Sequence, residues 1–281
     1  MPDIWTLAAI AAKFSLYAGV LTAAGSVFAA LMFRISETKL FAGFFAIFGL
    51  AGAVIGFSLG GAALTGDVSG MVNPEMLGLL WSTSAGTALS YRLIGLTMLL
   101  VGLMCGGVGI WVSSVGGLIA LWSFATVGHI PDQGAFWINV VLMLHLIGVA
   151  LWIGILTPLR RLATACSTHQ ASDLGHRFGQ AAVLFVPLLV VAGVAMGYYL
   201  VGSFDALFVT GYGQVLIVKI MLVGVLLALA ALNKLRFVPR LTDGDTQASR
   251  HLSRSISFEW VAVISILFVT AVLTSTLNLP S

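Results

Sequence analysis

The stretch Thr126–Gly154 reads TVGHIPDQGAFWINVVLMLHLIGVALWIG. It begins as a loop, with Gly128-His129 running into a Pro131-Asp132 turn. From Phe136 to Gly154 the only ionisable side chain is His145, eight residues past Trp137. An apolar run of about 20 residues crosses ~30 Å of hydrocarbon as a helix. Reading this run as a membrane span decides the fold, because such runs recur along the whole chain.

Composition agrees. Of 281 residues, 59% are hydrophobic and 8% charged, and mean hydropathy is +1.08. Soluble domains do not have that composition. Eight spans are expected, at 5–33, 41–63, 89–105, 109–127, 136–159, 179–201, 213–235 and 257–277. All should be helices, because lipid cannot satisfy open backbone polar groups. Only the bend Cys105-Gly106-Gly107 separates the third span from the fourth. The first span has too long an apolar region for a cleavable signal peptide, and Asp3 stands where a basic run would be. The expected fold is an all-α integral membrane protein, one transmembrane domain over 1–281 without a soluble domain. Trp5 to Lys13 and Trp137 to His145 share one spacing, and each is followed by a glycine, Gly19 or Gly154. Two parallel four-helix repeats, 1–130 and 131–281, would explain this and put Lys13 and His145 at equivalent depths.

Orientation follows from the basic residues. Arg34, Lys39, Arg160, Arg161, Arg177, Lys234, Arg236, Arg240, Arg250 and Arg254 fall in loops on one side, ten of the 13 in the chain. Asp3, Asp67, Glu75, Asp132 and Asp205 fall on the other. The positive-inside rule makes the basic side cytoplasmic and both termini periplasmic. The net charge of +3 then reports topology, and no nucleic acid is expected as a partner. Tyr198, Tyr199, Tyr212, Trp5 and Trp137 are expected in the outer aromatic belt.

Lys13, Arg92, His145 and Lys219 lie within or at the edge of outer-leaflet helix segments. Such groups face the bundle interior as functional or paired residues, or snorkel to the interface. Snorkelling suits Arg92 best and is open to both lysines. His145 is too short to snorkel, so it is hydrogen-bonded between helices or a ligand. Val141, Leu142, Gly148, Val149 and Trp152 share its helix face, whereas Met143 does not. A thioether partner would come from another helix, with Met98 and Met196 at suitable depth. Imidazole with soft sulfur suits monovalent copper. The cytoplasmic run Cys166-Ser167-Thr168-His169, with His176 beyond it, is too irregular for a strong metal site, and Cys105 and Cys166 are expected as free thiols.

The second half resembles the copper resistance protein D family of bacterial inner-membrane proteins. The resemblance rests on an ordered series: Gly128-His129, His145-Leu146 with Leu151-Trp152-Ile153-Gly154, and Arg177-Phe178, where Gly179 replaces the family's Ser. It continues through Thr210-Gly211-Tyr212-Gly213 with Lys219, then Asn233-Lys234, Pro239-Arg240-Leu241, Glu259 and Pro280. Over 1–125 it rests on span number and layout alone. The resemblance implies copper handling beside a periplasmic copper carrier (CopC-like), which would be a separate protein docking on the outer loop 64–88.

Copper translocation follows as the first expectation. Copper ion would arrive near His129, helped by Asp132, and pass to His145, where Met98 or Met196 completes the site. Neutral imidazole is the ligand, so uptake should weaken as pH falls towards the ordinary imidazole range. On the cytoplasmic side Glu259 lies near Arg250 and Arg254, where a capping or ion-paired role is expected and a functional role is the alternative. No Gly-x-x-x-x-Gly-Lys-Ser/Thr loop occurs, so transport would be passive or gradient-coupled. Haem is the alternative cofactor, since the intramembrane cations could meet its propionates. A non-transporting copper-binding docking subunit is the third reading. Neither a nucleophile elbow nor paired intramembrane carboxylates point to an enzyme.

Overall fold

The computed structural model describes residues 4–35, 38–128 and 136–276. The chain is a helical bundle, without strands among the described residues. Its helices are α1 (Ile4–Phe33), α2 (Lys39–Thr65), α3 (Pro74–Trp81), α4 (Ser84–Met104), α5 (Gly109–Trp122) and α6 (Phe136–Thr164). They continue as α7 (Thr168–Val201), α8 (Phe204–Val209), α9 (Gly211–Leu232), α10 (Val238–Thr242) and α11 (Thr246–Thr276). Among the described residues seven helices are long and apolar enough to cross a membrane, with α9 and α10 counted as one segment. The eighth expected span is shorter: α5 runs on through a 3-10 turn to Ala125, and Gly109–Ala125 is a shorter apolar helix. The long segments and this shorter one alternate between an end carrying Asp67, Glu75 and Asp205 and an end carrying the basic loops.

α1 is the hub and packs against α2, α5, α6 and α11. Val20, Ala23, Ala24, Val27 and Ala29 along it are wholly buried. Lipid offers no hydrophobic drive between helices, so close backbone packing at small residues does the work. Gly19 meets the Gly49 backbone of α2, and a Cβ there would lie 2.3 Å from it. Gly25 meets the Ala150 carbonyl of α6, and Gly154 meets the Gly25 carbonyl in return. α4 and α5 interlock the same way, with Gly95 on Gly116 and Ala120, and Gly102 on Gly109 and Ser113. Leu40, Phe44, Leu184 and Val194 stand exposed on the outside, as lipid-facing side chains should.

The helices outrun the expected spans at the basic end. α7 and α11 each start 11 residues before the expected positions 179 and 257. These polar turns still pack: Ser172 Oγ meets Thr242 Oγ1 at 2.9 Å, and Ser249 Oγ donates to the Ala163 carbonyl at 2.8 Å. Apolar content marks what lipid covers, and helices extend beyond that wherever they still have a neighbour. The expected outer loop 64–88 is also folded. It holds a 3-10 turn at Val68–Met71, then α3 and the first turn of α4.

Candidate functional site

α6 presents His145 and Trp152 on one face, two turns apart. The imidazole faces α7. Its Nδ1 lies 3.2 Å from the Leu189 carbonyl oxygen. A carbonyl only accepts, so Nδ1 carries the proton and Nε2 keeps its lone pair. Gly193, one turn along α7, leaves room beside the ring; a Cβ there would stand 3.5 Å from Cε1. Lys219 of α9 acts electrostatically on the imidazole.

Of the two methionines expected near this depth, the structure brings one to the α6–α7 interface. Met196 of α7 is buried with Ile138, against Val141 and Leu142 of α6 and Tyr199 and Leu200 of α7. Val141 and Leu142 lie one turn before His145, so Met196 sits towards the acidic end. Met98 lies on α4, which packs against α2, α3 and α5. It lines a shallow groove with Leu93, Ile94, Thr97 and Val101 of its own helix, away from α6. Nothing in a run of apolar residues separates these two cases; only the packing does. His129 and Asp132 lie outside the described residues. Among the described residues no group of three or more His, Cys, Asp or Glu could hold a metal.

A second polar cluster lies at the acidic end, across α1, α4, α5 and α11. Lys13 Nζ donates to the Thr274 backbone carbonyl, and Tyr17 Oη lies 3.0 Å from Thr274 Oγ1. The Tyr17 ring rests on Phe124, with centroids 5.2 Å apart. Arg92 Nε donates to Ser123 Oγ at 3.2 Å, and its guanidinium lies 5.6 Å from the Phe124 ring centroid. Arg92 is therefore anchored on protein rather than snorkelling freely. Tyr212, expected in the interfacial belt, is instead buried with Val201 and Leu273, within electrostatic reach of Tyr17. Tyr17 and Thr274 escaped the sequence reading because a lone Tyr or Thr in an apolar helix carries no signal of its partner.

The third cluster surrounds Glu259. This carboxylate is 3% exposed, in the interior of α11. Trp152 Nε1 donates to its Oε2 at 3.2 Å, and Asn233 Nδ2 donates to Oε1. Trp152 is boxed edge-on by Phe178 and Phe185, at 6.3 Å and 6.4 Å between centroids. Asn233 opens a π-helical turn, Asn233–Phe237, that breaks the register between α9 and α10. Such turns are frequent at functional sites. The expected capping or ion-paired role beside Arg250 and Arg254 is corrected here. α11 begins at Thr246, so Glu259 lies well past its first turn, and its partners are neutral side chains from α6 and the π-turn. Asn233 was visible in the sequence as an amide ending the apolar run of α9, but its role was not.

At the acidic end Asp67 caps the 3-10 turn, accepting from the Ser69 amide at 2.8 Å. Hydrogen bonds from the Ser69 side chain and backbone hold its carboxyl below the usual carboxylate range. Cys105 and Cys166 are free and exposed.

Residues 1–136 match the family described as copper resistance protein D-like, N-terminal domain, and residues 172–273 match copper resistance protein D. The chain belongs to the copper resistance protein D family. His145 and Trp152 fall between the two matched regions, while Asn233 and Glu259 fall inside the second. Among curated proteins, the chain is similar to the copper transport protein CutJ of Bacillus subtilis (strain 168), 31% identical over 136 residues. That alignment covers 47% of this chain and 24% of CutJ, so the chain spans about a quarter of that relative. No solved structure matches. The protein is thus a copper-related multi-pass membrane protein. The N-terminal match extends the family to the half where span number and layout alone had suggested it.

Proposed function

We propose that the protein moves copper across the bacterial inner membrane, passing it through the α6–α7 interface at His145. The observation that carries this reading is the tethered imidazole. Nδ1 is committed to the Leu189 carbonyl, which leaves Nε2 as a lone-pair donor inside an apolar bundle. Met196, one turn nearer the acidic end on the same interface, supplies soft sulfur. Copper is the cargo, held in low coordination and released. The acidic end faces the periplasm, both termini with it, and His129 and Asp132 receive copper there from a CopC-like carrier. Asp67 and α3 form the folded part of its landing surface. Lys13 and Tyr212 belong to the polar cluster around the mouth. Lys219 beside the imidazole disfavours added positive charge, so it selects the monovalent ion and keeps it loosely bound. Met98 is packing.

The halves 1–130 and 131–281 are proposed as parallel repeats. The packing supports this: α1 on α2, α1 on α5 and α4 on α5 recur as α6 on α7, α6 on α11 and α9 on α11. α1 and α6 then meet as equivalent helices at the centre.

The test is purified protein loaded with copper(I), wild type against His145→Ala, with bound copper and the visible spectrum read together. Stoichiometric copper without a Soret band in wild type, and its loss in the variant, is expected. Uptake into vesicles should fall with it. A Soret band altered by the substitution would replace this reading with the haem one. Copper retained in full by the variant would remove His145 from the route.

A further inference from the structure

Glu259 sits where an ionised carboxylate is costly. It is buried in a membrane-spanning helix, and both donors on it are uncharged. The charged groups on the elements packed around α11 are directed elsewhere. Lys234, on the π-turn itself, donates to the Gly179 carbonyl at 2.9 Å. Arg177 of α7 pairs with Asp173 at 3.6 Å and lies over Phe33. Arg160 of α6 donates to Ser257 Oγ at 3.0 Å. Lys13 of α1 is held at the far end by Thr274, and the field of Lys219 of α9 reaches His145. His251 of α11 stacks on Phe237, 5.8 Å between centroids. Arg161, which is itself engaged, lies at the basic end with Arg236, Arg240, Arg250 and Arg254. Among the described residues none of the last four is ion-paired with Glu259.

The hydrogen-bonding groups beside the carboxylate are not used up. Asn233 is 6% exposed, and its Oδ1 has no partner. Ser255, one turn before Glu259 on the same face, is 4% exposed, and its Oγ also has none. A buried amide with one half idle is expensive unless another state uses it. Asn presents donors and an acceptor on one planar group, and a half-turn about its last bond exchanges them.

We propose that Glu259 is a reversible proton-binding site, with the Asn233 amide serving it in both states. When Glu259 is ionised, Asn233 Nδ2 donates to Oε1. When a proton from water binds Oε1, the amide turns over and Oδ1 accepts the new O–H. Trp152 donates to Oε2 in both states, since a carboxylic acid keeps an acceptor oxygen. Ser255 Oγ offers the next hydrogen-bonding group towards the basic end, and the π-turn gives Asn233 a backbone outside the regular α ladder. The site lies about two turns, roughly 10 Å, deeper along α6 than His145. This deepens the copper reading by supplying its coupling ion, the proton.

The test is infrared spectroscopy of the full-length protein in lipid bilayers, without copper, titrated with acid. A carboxylic-acid carbonyl band that appears reversibly and is absent in Glu259→Gln is expected. In Asn233→Leu the same band should move to higher frequency, because the acid loses its acceptor. Carboxylate absorption alone at every pH, or an acid band unchanged in Glu259→Gln, overturns the proposal. A frequency unchanged in Asn233→Leu removes the amide from it. Because the band is read without copper, a failure of copper uptake with the band intact refutes the transport reading alone. With both intact, copper uptake in Glu259→Gln should lose most of its dependence on a pH gradient.

Discussion

Replacing Gly25 with alanine puts one methyl group at the tightest point of the bundle. That Cβ would lie 1.8 Å from the Ala150 carbonyl oxygen and 2.6 Å from its carbon. Carbon and oxygen approach to about 3.3 Å at closest, so α1 and α6 must part by roughly 1.5 Å there. The obstacle is helix backbone, which has no rotamer to change. Separation also opens the neighbouring contact at Gly154, whose Cβ position lies 2.0 Å from the Gly25 carbonyl. A gap of ~1 Å forfeits up to about half of each dispersion contact along the seam. Overpacking alone costs ~1–3 kcal/mol, and a displaced hub helix places this case at or above the top of that range, about 3 kcal/mol. Gly224→Ala in α9 is the control, since nothing lies within 4 Å of its Cβ position. It should be neutral or stabilising by up to ~1 kcal/mol, as expected for Gly to Ala within a helix. Unfolding in mixed micelles by titration with sodium dodecyl sulfate, followed by circular dichroism, measures both. Equal stabilities for the two variants, within ~0.5 kcal/mol, would refute the close α1–α6 crossing.

Two further outcomes are expected. Lys219→Met removes a cation that acts on His145. For two unit charges ~8 Å apart at an effective dielectric of ~20 the repulsion is on the order of 2 kcal/mol, more than tenfold in affinity. Copper(I) should therefore bind tighter in competition with a chelator, and unchanged or weaker binding would contradict Lys219's place beside the route. Asp67 is held below the usual carboxylate range by Ser69, so its contribution to the folded loop is present above its unfolded pKa. That contribution is lost as pH falls through the depressed value. The hydrogen-exchange protection factor of the Ser69 amide should fall over that acid range in wild type and show no such step in Asp67→Ala.

Much of this protein is legible without coordinates, and the reason is solvent. Lipid forces every crossing segment to satisfy its own backbone, so each apolar run of sufficient length becomes a helix. The ordered motifs from Gly128 to Pro280 marked the family, and the matches over 1–136 and 172–273 bear that out. His145 stood out as an ionisable group in apolar surroundings, whereas Glu259 read as a residue of the cytoplasmic side beside Arg250 and Arg254. What the sequence could not mark is which helix faces meet. In water the buried face of a helix is the apolar one, but in lipid both faces are apolar and the pattern is silent. So Met98 and Met196 looked alike, although one lines an outer groove and the other is buried at the α6–α7 interface. Trp152 and Glu259 are 107 positions apart, and nothing local in either helix announces the other. Glycines contacting backbone across α1, α2 and α6 set those approaches, and only the folded bundle decides which oxygen each one meets. The spans follow from hydrocarbon thickness and backbone hydrogen bonding, whereas the site follows from contacts between helices distant in sequence.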